Sequence, residues 1–354
     1  MSQRPTDAVV IDVLPQHRFD EGALDAWMRE NVRDYKGPLK VRQFQGGMSN
    51  PTFVLDTPAR SYVMRKKPPG MLLKSAHQVD REYTVMKALQ GSDVPVPEVF
   101  ALCTDDAVLG QDFYIMNNVE GRVLINTALP SFTKAERTAL YEHLAVVLAA
   151  LHKVDPAAVG LSEFGRAGNY YARQLSRWSK QYVASVTEDL ADMNFLMEWL
   201  PANIPQADET TIVHGDYRIG NCVLHPTEPR IVAVLDWELS TLGHPLADLA
   251  YVCQEYYGNL TGTGFADLED PRTIGIPSEE EFVARYCELT GQPKIENWGF
   301  YMAYTLFRSA AIVQGVYKRG LDGNASSESA KRYADAARIR SSWAMDVLRK
   351  SGLI

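Results

Sequence analysis

The stretch from residue 211 to residue 251, TIVHGDYRIGNCVLHPTEPRIVAVLDWELSTLGHPLADLAY, constrains this chain more than any other part of it. Asp216 stands five residues before Asn221, and the hydrophobic run Ile231 to Leu235 then delivers Asp236. Ile212-Val213 reads as a short strand ahead of His214-Gly215-Asp216, and Leu224 and the 231–235 run read as strands that set the geometry. Two carboxylates and a carboxamide held this way are the groups that phosphoryl transfer from Mg-ATP requires. One carboxylate orients the attacking hydroxyl and can accept its proton, while the carboxamide and the other carboxylate hold magnesium against the phosphates. Asp216 is therefore the expected base, Asn221 and Asp236 the expected magnesium ligands, and Arg218 the cation for the phosphoryl group in transfer. His214 and Asp248 read as supports of the loop, Asp248 as a buried brace from the start of the next helix. Trp237 and Glu238 read as packing and orienting residues.

Upstream, the pattern is that of a small sheet with helices. Phe19 to Val32 carries Leu24, Trp27 and Met28 on one helical face, and residues 1–18 look like an arm. LKVRQFQG (39–46), PTFVLDT (51–57), RSYVMRKK (60–67), VPVPEVFALCTD (94–105) and DFYIMNNVEG (112–121) are strand-like. Alternation puts Tyr62 and Met64 on one face of the third strand and Val63 and Arg65 on the other. Residues 76–90 read as a helix that bears Glu82. A strand cation paired with a Glu on the next helix is how kinases position the α- and β-phosphates, and the same spacing also fits a solvated surface pair. The Gly46-Gly47-Met48-Ser49-Asn50 loop can turn tightly and bring amide N–H groups toward a ligand. Alone it also fits an ordinary hairpin turn. Gly46, Gly47, Ser49, Asn50, Arg65 and Glu82 are thus candidate nucleotide-binding residues. Met116 heads a segment, Met116 to Gly121, that is the expected adenine linker.

From about residue 120 the pattern turns helical. Thr133 with Glu136 three residues on forms a capping box. Residues 167–200 read as one or two helices ended by Pro201, Pro245 to Tyr257 as a helix, and 260–278 as a loop. Further helices are expected over about 279–290, 295–318 and 325–350. The expected fold class is α+β with two lobes: a small antiparallel sheet plus helix over residues 1–118, and a larger, mostly helical lobe over 119–354.

Composition narrows the partners. A formal net charge of −8 argues against the basic face that nucleic acid needs. No apolar run reaches the roughly 20 residues of a membrane span. The four cysteines show no metal spacing, and reduced thiols in a cytoplasmic protein are the simple reading. The expected partner is a small-molecule hydroxyl acceptor, bound by a monomer or homodimer.

HGDYRIGN followed by VLDWELSTLGHPLADLAY resembles the catalytic core of the aminoglycoside phosphotransferase superfamily, which is protein-kinase-like and includes the choline kinases. YVMRKKPPG resembles its third strand, REYTVMKAL its Glu-bearing helix and FYIMNNVEGRVL its hinge, so the resemblance covers nearly the whole chain. It implies ATP and Mg2+ as cofactors, a catalytic Asp216, magnesium at Asn221 and Asp236, and an Arg65–Glu82 pair. Arg65 stands where protein kinases have Lys, and Tyr217-Arg218 replaces the Leu-His pair of the best-known antibiotic kinases. RKKPPGMLLKSAHQVDREY and FRSAAIVQGVYKRG look like the kinase domain fused to some acyl-CoA dehydrogenases and its free-standing bacterial relatives. That subgroup implies a hydroxylated acyl acceptor such as a hydroxyacyl-CoA. The alternatives are an aminoglycoside or amino-alcohol kinase and, from another class, a nucleotide-binding module without catalysis.

Overall fold

The computed structural model describes residues 6–45, 50–68, 78–206, 208–258, 264–322 and 333–354. Packing divides the chain into two compact units, Met1–Leu161 with Arg218–Ser240, and Ser162–Tyr217 with Thr241–Ile354.

The first unit is built on a six-stranded antiparallel sheet in the order β1-β2-β3-β4-β6-β5. Its strands are β1 Val9–Ile11, β2 Lys40–Gln45, β3 Thr52–Asp56, β4 Ser61–Lys66, β5 Val99–Cys103 and β6 Phe113–Asn117. Residues expected to be an arm thus supply an edge strand, β1, which pairs with β2. Helix α1, Glu21–Asn31, starts at Asp20, whose carboxylate accepts from the Ala23 N–H. Its Leu24 and Met28 are buried against Phe53, Leu55, Tyr62 and Met64, and Trp27 meets Phe113 edge-on. The opposite sheet face carries Arg65, which reaches Glu82 on α2, Val79–Leu89. The strand expected over 94–105 shortens to β5 because Pro95 and Pro97 have no N–H to give a ladder. Pro95 instead accepts from the Val234 N–H.

A short helix, α3 Asp106–Leu109, precedes β6, and α4 Lys134–Lys153 follows it with the expected capping box between Thr133 and Glu136. The hairpin of β8, Cys222–Leu224, with β9, Ile231–Val234, belongs to this unit. Leu224 pairs with Arg122, and the Arg122 guanidinium donates to the carbonyls of His225 and Glu228.

The second unit holds α5 Tyr170–Ser185, α6 Ala191–Ala202, α7 Leu246–Cys253, α8 Glu279–Thr290, α9 Trp298–Leu321 and α10 Ala336–Lys350. Pro201 falls inside the last turn of α6 rather than beyond it. Helix α9 is buried on nearly all sides, as an apolar helix must be when other helices surround it. The start of the helix expected over 325–350 lies partly outside the described residues. One short strand pair completes the unit: β7 Thr211–Val213 with β10 Thr241–Gly243. Gly243 is required there, because a Cβ would run into the Tyr170 ring and the Val213 side chain. The architecture is α+β. Among the described residues no helix is long and apolar enough to cross a membrane, and all four cysteines are buried and unpaired.

Candidate active site

In the first unit, the end of β4 aims Arg65 at two carboxylates. Its Nη1 lies 3.0 Å from Glu82 Oε2 and its Nη2 donates to Asp236 Oδ1 at 2.8 Å. Glu82 is fully buried and its oxygens are occupied: Tyr114 donates its hydroxyl to Oε2 at 3.0 Å and Asn50 donates Nδ2 to Oε1 at 3.2 Å. Asn50 also reaches Glu238 Oε2 at 3.4 Å. Carboxylate oxygens of Glu82, Asp236 and Glu238 lie within 4.8 Å of one another.

The electrostatics follow from this crowding. Burial works against the Arg65 charge, but Glu82 and Asp236 overcome it and hold the guanidinium above the ordinary arginine pKa. Burial pushes Glu82 up to about 7; Arg65 pulls the other way, while Asp236 and Glu238 add to the rise. One guanidinium shared between carboxylates cannot neutralise all of them, and the fully buried one is the costliest to leave charged.

The β8–β9 hairpin brings the two expected metal ligands to one end. Cys222 is opposite Val234, and the Leu235 N–H donates to the Asn221 carbonyl at 2.8 Å, so Asn221 and Asp236 leave the same end of the ladder. Asp236 adopts a left-handed conformation, φ 67°, which aspartate tolerates better than most residues. Buried Trp237 fixes the next turn by donating Nε1 to the Val234 carbonyl at 2.9 Å. Arg218, half-buried, opens the turn before Asn221, and its carbonyl accepts from the Asn221 N–H. The donors here are oxygens, the set a hard cation prefers, and the Asp236 carboxylate is one-third exposed and reachable. Three carboxylates gathered within 4.8 Å, two of them on one guanidinium, also leave negative charge that a divalent cation would balance. These residues fit magnesium.

In the second unit, Asp216 follows a turn that is fixed from both sides. Asp248, fully buried at the start of α7, accepts from the His214 N–H at 2.6 Å and the Gly215 N–H at 2.7 Å. His214 is buried too, and its Nδ1 accepts from the Asp216 N–H at 3.2 Å. Arg308 of α9 donates Nη2 to the Gly215 carbonyl at 2.8 Å. Gly215 takes φ 83°, a value that favours glycine. The bracing roles expected of His214 and Asp248 are thus present as hydrogen bonds, and Asp216 itself is half-buried.

The structure brings Arg65, Glu82, Asp236 and Asn50 together. Met116 lies in β6, paired with Val63 and Val99. Gly46, Gly47 and Ser49 lie outside the described residues. Sequence reasoning missed Tyr114 as a partner of Glu82, and missed the bond from Asn50 to Glu238. The β6 alternation holds the first signal, since Tyr114 is opposite Arg65 in the ladder. No local pattern holds the second, because the two residues are 188 positions apart.

Residues 40–299 match the phosphotransferase enzyme family. The chain belongs to that family. A Ralstonia eutropha protein of known structure, provisionally named an aminoglycoside phosphotransferase, is 48% identical, covers 93% of this chain and 99% of its own, and superposes with a TM-score of 0.83. Acyl-CoA dehydrogenase family member 11 of Gallus gallus is 46% identical over 334 residues, which is 91% of this chain and 43% of that one. The chain spans less than half the length of the curated relatives it matches. An aminoglycoside phosphotransferase in ternary complex with ADP and hygromycin B superposes with a TM-score of 0.59 at 17% identity, over 92% of this chain and 97% of that one. That likeness is one of fold, and the fold is protein-kinase-like.

Proposed function

We propose that this phosphotransferase moves the γ-phosphate of Mg-ATP to a hydroxyl of a hydroxylated acyl compound, a hydroxyacyl-CoA or a hydroxy acid. The observation that carries the reading is the Arg65–Glu82–Asp236 cluster, where carboxylates gather around one guanidinium at the end of the β8–β9 hairpin. In this reading Glu82 and Tyr114 aim Arg65 at the α- and β-phosphates. Gly46, Gly47, Ser49 and Asn50 cover the phosphates, and Met116 heads the adenine linker. Asn221 and Asp236 hold magnesium, which when bound draws charge off the phosphates and lines them up. Asp216 orients the acceptor hydroxyl and accepts its proton, assistance typically worth about 10²–10⁴-fold. Arg218 balances charge on the group in transfer. Residues 1–118 serve the nucleotide, and 119–354 serve catalysis and the acceptor.

Two comparisons support the cofactor and the acceptor. A neighbour of this fold was crystallised with ADP. The longer relatives, of which this chain matches less than half, are named as acyl-CoA dehydrogenases. Unpaired cysteines support a reducing cytoplasmic setting. The expected assembly is a monomer or homodimer. A second reading, transfer to an aminoglycoside or amino alcohol, draws on the name of the Ralstonia eutropha neighbour. Labelled Mg-ATP offered to two acceptor pools separates them. Transfer to hydroxyacyl-CoAs or free hydroxy acids is expected; transfer to aminoglycosides and amino alcohols only would replace the acyl reading with the second.

A further inference from the structure

The turn that leads into Asn221 holds a glycine that its backbone does not require. Arg218 is extended, and the single turn Ile219–Asn221 follows it. The Arg218 carbonyl accepts from the Asn221 N–H at 2.9 Å and from the Cys222 thiol at 3.4 Å, and the Cys222 N–H closes on the Ile219 carbonyl. Ile219 and Asn221 are buried, and Gly220 between them is half-buried. Gly220 lies inside this right-handed turn and is not among the glycines of positive φ, so alanine would take the same conformation. At such a position alanine restricts the unfolded chain and stabilises a protein slightly. A glycine there calls for a reason in the folded state.

The Arg218 side chain supplies one. A Cβ built on Gly220 would lie 2.6 Å from Arg218 Nη1, 3.1 Å from Cζ and 3.6 Å from Nη2. Apart from the adjoining residues, nothing stands closer to that point than this guanidinium. Arg218 therefore folds back along its own chain and rests its charged end on the bare Cα of Gly220. A methyl group at 220 would meet only the far end of a flexible side chain, which can swing away while the backbone stays.

We propose that Gly220 is a positioning residue for Arg218: its missing side chain leaves the floor on which the guanidinium lies, beside the turn that carries Asn221. The inference rests on Arg218 being the cation that balances charge on the group in transfer. A free arginine side chain samples many rotamers, and a charge already held in place costs no reorganisation at the moment of transfer.

The test compares wild type, Gly220→Ala, Arg218→Ala and the double variant by thermal unfolding, by calorimetric binding of Mg-ATP, and by transfer of labelled γ-phosphate to the acceptor pool that wild type uses. Crystal structures of wild type and Gly220→Ala locate the guanidinium. Gly220→Ala is expected to unfold at or above the wild-type temperature, to bind Mg-ATP as wild type does, and to lose turnover about tenfold or more. Arg218→Ala is expected to lose turnover at least as far. With Arg218 truncated nothing remains to displace, so the double variant is expected to match Arg218→Ala instead of multiplying the two losses. A glycine with a merely structural role would lower the unfolding temperature when replaced, and its loss would multiply with that of Arg218→Ala. Wild-type turnover in Gly220→Ala beside an impaired Arg218→Ala, multiplied losses, a guanidinium that stays over residue 220, or a fall in Mg-ATP affinity that traces the effect to Asn221 would each overturn the proposal. A guanidinium displaced only in Gly220→Ala, with no transfer by wild type to any acceptor, would leave the positioning standing and remove the kinase reading. Transfer that survives Arg218→Ala undiminished would keep the kinase reading and overturn the proposal by removing the role of Arg218.

Discussion

Glu82 has no contact with solvent, and its proton decides how the carboxylate cluster is held before a cation arrives. Its folded pKa of about 7 lies above the ordinary 4.5, so between those values the folded state binds a proton that the unfolded chain has released. The stability this group supplies is fully present below about pH 4.5 and is lost as pH rises through about 7. With about 1.36 kcal/mol per unit, the loss is on the order of 3 kcal/mol. Stability of wild type minus that of Glu82→Gln, measured by urea unfolding across this range without divalent metal, is expected to fall with pH; a flat difference would show that Arg65 keeps Glu82 ionised throughout. At this scale the sequence was legible where one rule sufficed. Strand alternation turned Arg65 away from Tyr62 and Met64, and the next helix offered Glu82. Tyr114 and Glu238 joined the same cluster through sheet pairing and a distant hairpin, which no residue spacing encodes.

The turn from β7 to Asp216 depends on α7, because Asp248 at the start of that helix takes both N–H groups of the turn. Asp248→Ala would leave two buried donors unpaired, each worth about 1–3 kcal/mol. A stability loss of at least about 2 kcal/mol is expected on urea unfolding, with turnover lowered and Mg-ATP affinity kept. A change below about 0.5 kcal/mol would mean that water or another group takes over the turn. Long periodic elements were readable: the Leu24–Met28 face of α1 and the Thr133–Glu136 box of α4 stand where the pattern put them. Of the three-residue strands, β7 and β8 were readable in Ile212-Val213 and Leu224. β1 and β10 were not, because each is defined by a partner strand rather than by its own sequence, and Pro95 and Pro97 shortened a run whose apolar content suggested a longer strand.

For the molecule as a whole, composition excluded more than it identified, and the acidic net charge made no distinction between acceptors. The central claim is that one chain divides phosphoryl transfer between Asp216, which serves the acceptor, and Asp236, which serves the metal and nucleotide. Membership of the phosphotransferase enzyme family motivates that division and leaves it to be measured. The most direct measurement pairs transfer of labelled γ-phosphate with Mg-ATP binding in wild type, Asp216→Ala and Asp236→Ala. Asp216→Ala is expected to lose product formation by about 10²-fold or more and to bind Mg-ATP as wild type does. Asp236→Ala is expected to lose affinity for ATP only when magnesium is present. Near-normal turnover in Asp216→Ala, or an Asp236→Ala affinity that matches wild type with and without magnesium, would contradict the account.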